Sequence, residues 1–131
     1  MSAITGAFAS FTVTDLEAAK TFYADIVGLE VSSALPTGGP LWLKADGMTS
    51  ALVYAKPDHQ AATFTILNIA VDDIAAAVDD LAARGVAFQR YAGFEQDDRG
   101  ILHGPGHDIA WFDDPAGNNL CLVQLHDQPA E

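Results

Sequence analysis

The residues best suited to chemistry in this chain are few: His103, His107 and Asp108 in one stretch, the lone Cys121, and Trp42 and Trp111 as flat aromatic surfaces. Two imidazoles beside a carboxylate could hold a metal or exchange protons near neutral pH. The competing reading, which is preferred, is that His103 and His107 are solvated turn residues, because Gly104-Pro105-Gly106 lies between them and such segments run over the surface. His59 falls in a linker and His126 in a tail, and both are read as incidental. As a nucleophile Cys121 would need a base or positive group to lower its pKa, and no adjacent motif supplies one, so it is read as a packing residue. Trp42 and Trp111 suit stacking of an aromatic or cationic ligand, or packing in a core; alternation alone leaves both readings open. There is no glycine-rich phosphate loop, serine-nucleophile motif or zinc motif.

The elements that must position these residues occur twice. Phe11-Thr12-Val13-Thr14-Asp15-Leu16-Glu17-Ala18-Ala19 is echoed 58 residues later by Ile69-Ala70-Val71-Asp72-Asp73-Ile74-Ala75-Ala76-Ala77. In the first copy, alternation predicts a strand over 7–13. Thr14 or Asp15 caps a helix with apolar positions Leu16, Ala19, Phe22, Tyr23 and Ile26, ended by Gly28. Strands over 29–35, 41–45 and 50–55 follow, separated by Pro/Gly-rich and Asp-Gly turns. The second copy reads as a strand over 64–71, a helix from Asp72 or Asp73 to Gly85, and strands over 86–91, 108–112 and 120–125. Gly93 to His107 has no clear period and reads as a long functional loop or lid, and 127–131 as a frayed tail. The prediction is an α+β fold of two tandem βαβββ units, 5–56 and 64–126, joined by a linker over 57–63 within a single domain of 1–131. Two such units are expected to leave a curved cleft between them where a ligand binds.

Composition narrows the partners. Six Lys plus Arg against eighteen Asp plus Glu give a net charge of −12. That balance repels nucleic acid and anionic membranes, and it suits a cationic ligand without requiring one. No apolar run approaches the ~18 residues of a membrane span, and Met1-Ser2-Ala3-Ile4-Thr5 lacks the basic flank and apolar core of a signal peptide, so a cytoplasmic protein is expected. A single cysteine excludes an intrachain disulfide and a multi-cysteine zinc site.

Val13-Thr14-Asp15-Leu16-Glu17, Thr21-Phe22-Tyr23 and Val27-Gly28-Leu29, with the second copy Val71-Asp72-Asp73-Ile74 and Arg84-Gly85-Val86, and the closing Asp114-Pro115-Ala116-Gly117-Asn118, carry a family resemblance. In joint order they resemble the vicinal oxygen chelate superfamily of glyoxalases, bleomycin-resistance proteins and extradiol dioxygenases. Its enzymes hold a divalent metal with one His or Glu from the first and one from the last strand of each unit. The resemblance puts Phe8, Ala51, Ile66 and Cys121 at those four places, aligning Gly47 with Gly117. Phe, Ala and Ile offer no lone pair and one thiol cannot hold a metal alone, so neither metal nor other cofactor is expected.

Counting by two along the strands puts Phe8, Ser10, Ala51, Val53, Ile66, Asn68, Cys121 and Val123 on the ligand face, with Trp42 and Trp111 as candidate walls. The expectation is a binding protein that takes an apolar, aromatic or cationic small molecule. By resemblance it works as a homodimer. A metal-independent lyase or isomerase using His103, His107, Asp108 or Cys121 is the alternative, and a regulatory or partner-binding module a third. Asp114 to Asn118 needs no catalytic role, because Pro, Gly and Asn there make a tight turn.

Overall fold

The computed structural model describes residues 3–47 and 50–126; the tail predicted over 127–131 lies outside them. Two compact units divide the chain, Met1–Ala61 and Ala62–Glu131.

In the first unit, strand β1 (Ser10–Val13) leads into helix α1 (Leu16–Thr21), and strands β2 (Glu30–Leu35), β3 (Gly38–Lys44) and β4 (Ala51–Ala55) follow. Asp15 starts α1, its carboxylate accepting from the backbone N–H groups of Glu17 (2.9 Å) and Ala18 (3.2 Å). The helix does not run on as a regular α-helix to Gly28. Phe22–Val27 widens into a π-helix, and the Tyr23 carbonyl accepts from both Gly28 (3.1 Å) and Leu29 (2.9 Å). Gly28 closes it at φ 90°, a left-handed conformation glycine adopts without steric cost. The Tyr23 ring is thereby fully buried, against Phe11 and Phe22.

The sheet order is β1-β4-β3-β2, with β1 parallel to β4 and the other pairs antiparallel. α1 packs on β3 and β4. Leu41, Leu43, Ala51 and Val53 form the buried face of that sheet together with Val13.

The second unit repeats the plan. Strand β5 (Thr65–Ala70), helix α2 (Ile74–Ala83), strands β6 (Phe88–Gln89), β7 (Leu102–Gly104), β8 (His107–Asp113) and β9 (Asn119–Leu125) make a sheet of order β5-β9-β8-β6, with β7 also paired to β8. Asp73 caps α2 by accepting from Ala76 N–H at 3.1 Å, and Ile74 N–H donates to Gln124 Oε1 at 2.8 Å, tying the helix start to β9. Ile74, Val78 and Leu81, one helical face, bury against the sheet face of Ala110, Phe112, Leu120 and Leu122.

Three expectations need correction. The first strand begins at Ser10, not Ala7, and the strand predicted over 86–91 is only Phe88–Gln89. The stretch 93–107 is no open lid: Leu102–Gly104 pairs antiparallel with the start of β8, and Gln96 bridges to Leu102. The third concerns Ala51 and Val53. They stand opposite Leu43 and Leu41 across β3–β4 and are 5% and 0% exposed, so they lie on the helix-covered face, not on the ligand face. Trp42 stands opposite Leu52, and Trp111 opposite Cys121. The structural equivalent of Cys121 is therefore Leu52; aligning Gly47 with Gly117 slipped the strand by one residue, which exchanges its faces.

Candidate functional site

With the register fixed, each unit has one sheet face packed under its helix and one without a helix. In the first unit the helix-free face carries Phe8, Ser10, Trp42 and Leu52. Phe8 meets Trp42 edge-on, with centroids 4.9 Å apart and planes at 74°. Both border a cavity of about 610 Å³. Its polar side chains are those of Thr5 and Ser50, of Glu30 and Ser32 on β2 and of Lys44 on β3, where Glu30 and Lys44 are cross-strand partners. Ser10 shares the face but does not line the cavity.

The corresponding face of the second unit carries Asn68, Trp111, Cys121 and Val123, and Ile66 sits at an irregularity where β5 shifts register against β9. Of these, Trp111 lines a cavity of about 420 Å³. Tyr91 contacts the indole edge-on (5.3 Å, 73°) and Phe94 lies nearly parallel to it (5.6 Å, 15°). Asn119 spans the polar side: its carbonyl accepts from Thr65 Oγ1 at 2.7 Å, and its amide donates to Tyr91 Oη at 2.8 Å. Sequence reasoning missed Tyr91, Phe94, Thr65 and Asn119 here, and Glu30, Ser32 and Lys44 in the first unit. The latter were within reach, since alternation from Trp42 and pairing with β2 put them on its face.

The segment 90–101 holds Phe94 in place through a dense polar frame. Gln96 Nε2 donates to the carbonyls of Gln89 (2.9 Å) and Gly100 (2.7 Å), and its Oε1 accepts from Tyr91 N–H at 2.9 Å. Arg90 Nη2 donates to the carbonyls of Asp97 (2.8 Å) and Asp98 (2.9 Å). Arg99 pairs bidentately with Asp79 on α2 at 2.9 and 3.1 Å. This explains why so aperiodic a sequence forms a fixed wall: its order comes from side chains bonded to backbone, which hydrophobic periodicity does not register.

His103 lines neither cavity. Its Nε2 is 2.7 Å from Asp97 Oδ2 and its Nδ1 is 3.2 Å from Asp108 Oδ1, while His126 Nε2 is 3.0 Å from Asp108 Oδ2. The hydrogen bond to Asp97 chiefly raises the His103 pKa, against slight burial and with help from the charges of Asp108 and Asp97. Burial works to raise Asp97 and Asp108. It is outweighed by hydrogen bonds from His103 and the Ile101 and Arg99 amides in one case, and by His126 and His103 in the other, so both stay below the usual carboxylate value. His107 begins β8 and joins none of these three pairs.

Cys121 is 1% exposed, and its thiol donates to Asn68 Oδ1 at 2.9 Å. Burial pushes its pKa up to about 11, the opposite of what a nucleophile or thiolate ligand needs.

A sequence model of the glyoxalase/bleomycin resistance protein/dioxygenase superfamily matches residues 7–122. The chain belongs to that superfamily. Solved structures of similar fold include an antibiotic binding protein from Streptomyces sp. CB03234, at 28% identity and a TM-score of 0.70, covering 96% of this chain and 100% of that one. A glyoxalase/bleomycin resistance protein from the same organism is 26% identical with a TM-score of 0.61, over 92% and 100% of the two chains. A lactoylglutathione lyase from Agrobacterium tumefaciens, at 21% identity and a TM-score of 0.65 over 94% and 96%, shares the fold. No curated protein gives a significant sequence match.

The family resemblance puts metal-ligand places on the first and last strands of each unit. With Leu52 replacing Ala51 at the second place, the four positions here are Phe8, Leu52, Ile66 and Cys121. Three are hydrocarbon, and the fourth is a protonated thiol engaged with Asn68. Among the described residues, no group of three or more His, Cys, Asp or Glu side chains is arranged to hold a metal ion. No described helix is long and apolar enough to cross a membrane.

Proposed function

We propose that this chain is a binding member of the superfamily that holds a ring-bearing, largely apolar or cationic small molecule and returns it unchanged. The observation that carries this reading is the pairing of a cavity with an indole wall in each unit: Trp42 with Phe8 in one, and Trp111 with Tyr91 and Phe94 in the other. Flat aromatic walls with a few polar groups suit ring stacking and orientation more than bond making. The hydrocarbon side chains at Phe8, Leu52 and Ile66 support a site without the usual metal. The likeness to an antibiotic binding protein points the same way. By the family resemblance the protein acts as a homodimer, which light scattering of the purified protein tests.

Proton-transfer catalysis has less support. Cys121 is buried and held protonated, and His103 lies away from both cavities. A module filled by its own side chains fits poorly with cavities of this size.

Tryptophan fluorescence titration with a panel of aromatic antibiotics tests the proposal. Saturable quenching is expected, with Trp42→Leu or Trp111→Leu weakening binding by about tenfold. A panel that leaves the emission unchanged, or variants that bind as wild type does, would sink it.

A further inference from the structure

The two cavities differ in charge. In the first unit Glu30 and Lys44 face each other across β2–β3, so a carboxylate and an ammonium both border the space. The second-unit cavity is bordered by Tyr91, Phe94 and Trp111, and among its lining residues Asp113 is the sole charged one. Asn119 is occupied by Thr65 and Tyr91 and reaches Asp113 Oδ1 only at 3.4 Å, which leaves the carboxylate most of its capacity to accept. Phe94 is 52% exposed and Phe64, on the same rim, 68% exposed, so these rings are not consumed by core packing.

Aromatic faces carry negative quadrupole potential, and a carboxylate beside them adds a full charge of the same sign. Both favour a cation, above all an alkylated ammonium, whose lack of N–H donors leaves it weakly hydrated and makes its transfer onto apolar rings inexpensive. We propose that the second-unit cavity is a cation-selective aromatic cage. It receives the positively charged amine of an aromatic ligand, with Asp113 as the counter-charge and Tyr91, Phe94 and Trp111 as the walls. The chain's net charge of −12 raises the local concentration of such ligands before contact. This inference rests on the small-molecule binding proposed above and names the ligand class that one of its cavities selects.

The test uses N-methylquinolinium, a permanent cation, and 3-methylquinoline, which is uncharged at pH 7.5 and of the same size. Isothermal titration calorimetry with the full chain should give about tenfold tighter binding of the cation. Asp113→Asn should remove much of that advantage while leaving 3-methylquinoline affinity unchanged, and Phe94→Leu should weaken both probes. Far-UV circular dichroism verifies that the variants keep their fold. Equal affinity for the two probes, or an Asp113→Asn variant that still prefers the cation as wild type does, overturns the charge selectivity and leaves the binding reading intact. Failure of both probes to bind the wild-type chain overturns both.

Discussion

Phe94 lies almost parallel to Trp111, with ring planes 15° apart, although it comes from a segment without secondary structure and its ring is half exposed. Gln96, two residues on, locks that segment through three hydrogen bonds to backbone groups.

Gln96→Ala removes the lock, taking a hydrogen-bond partner from the two part-buried carbonyls of Gln89 and Gly100 and from the exposed Tyr91 amide. The expected cost is about 1–3 kcal/mol in urea unfolding, with loss of the near-UV circular dichroism of Trp111 and faster amide exchange over 90–100. An unaltered near-UV spectrum would show that the stack does not depend on Gln96.

The strand register makes a paired prediction. Ala51→Leu pushes a larger side chain beneath α1 and should cost about 1–3 kcal/mol, whereas Leu52→Phe on the helix-free face should cost less than about 1 kcal/mol. Urea midpoints in the reverse order would put the two residues on the opposite faces.

That register is also where the sequence was legible only in part. Its repeat and caps were readable because Asp15 and Asp73 act through local bonds that occupy fixed places ahead of a helix. Trp42 and Trp111 were correctly matched as equivalents. The error at Ala51 and Val53 arose from anchoring on a turn glycine, since turns of different length absorb an extra residue without disturbing the strands that follow. Tyr91 and Phe94 are not recoverable from periodicity, because they meet Trp111 through a segment ordered by Gln96 and Arg90, whereas Asn119 lies two residues before Cys121 on β9 and shares its face by alternation.

The Cys121 thiol should resist chemistry. With its pKa at about 11 and its sulfur buried, iodoacetamide at pH 8 should label it far more slowly than a free cysteine, and labelling should become complete in urea. Rapid modification of the folded protein would restore a nucleophilic role.

The histidine pairs give a pH window. His103 titrates above its ordinary 6.5 in the folded chain, so its pairing stabilises fully below that value and is lost as pH rises through the raised one. Asp97 and Asp108 titrate below their ordinary 3.8, so their contribution is present above it and is lost as pH falls through the lowered values. Asp108 Oδ1, buried beside His103 Nδ1, gains its donor only when that nitrogen carries a proton. The His103 contribution should therefore be largest at roughly pH 4 to 6.5. His103→Gln should lower the melting temperature most at pH 5.5 and least at pH 8.5; an equal loss at both would show that the imidazole charge plays no part.

Whether the chain holds a molecule or transforms it is decided most directly by equilibrium dialysis against aromatic antibiotics, followed by mass spectrometry of the compound on the protein side. The account predicts enrichment to about one or two ligands per chain, in line with its two cavities, with the mass of the compound unchanged. A compound recovered with an altered mass, or no enrichment across the panel, would contradict it.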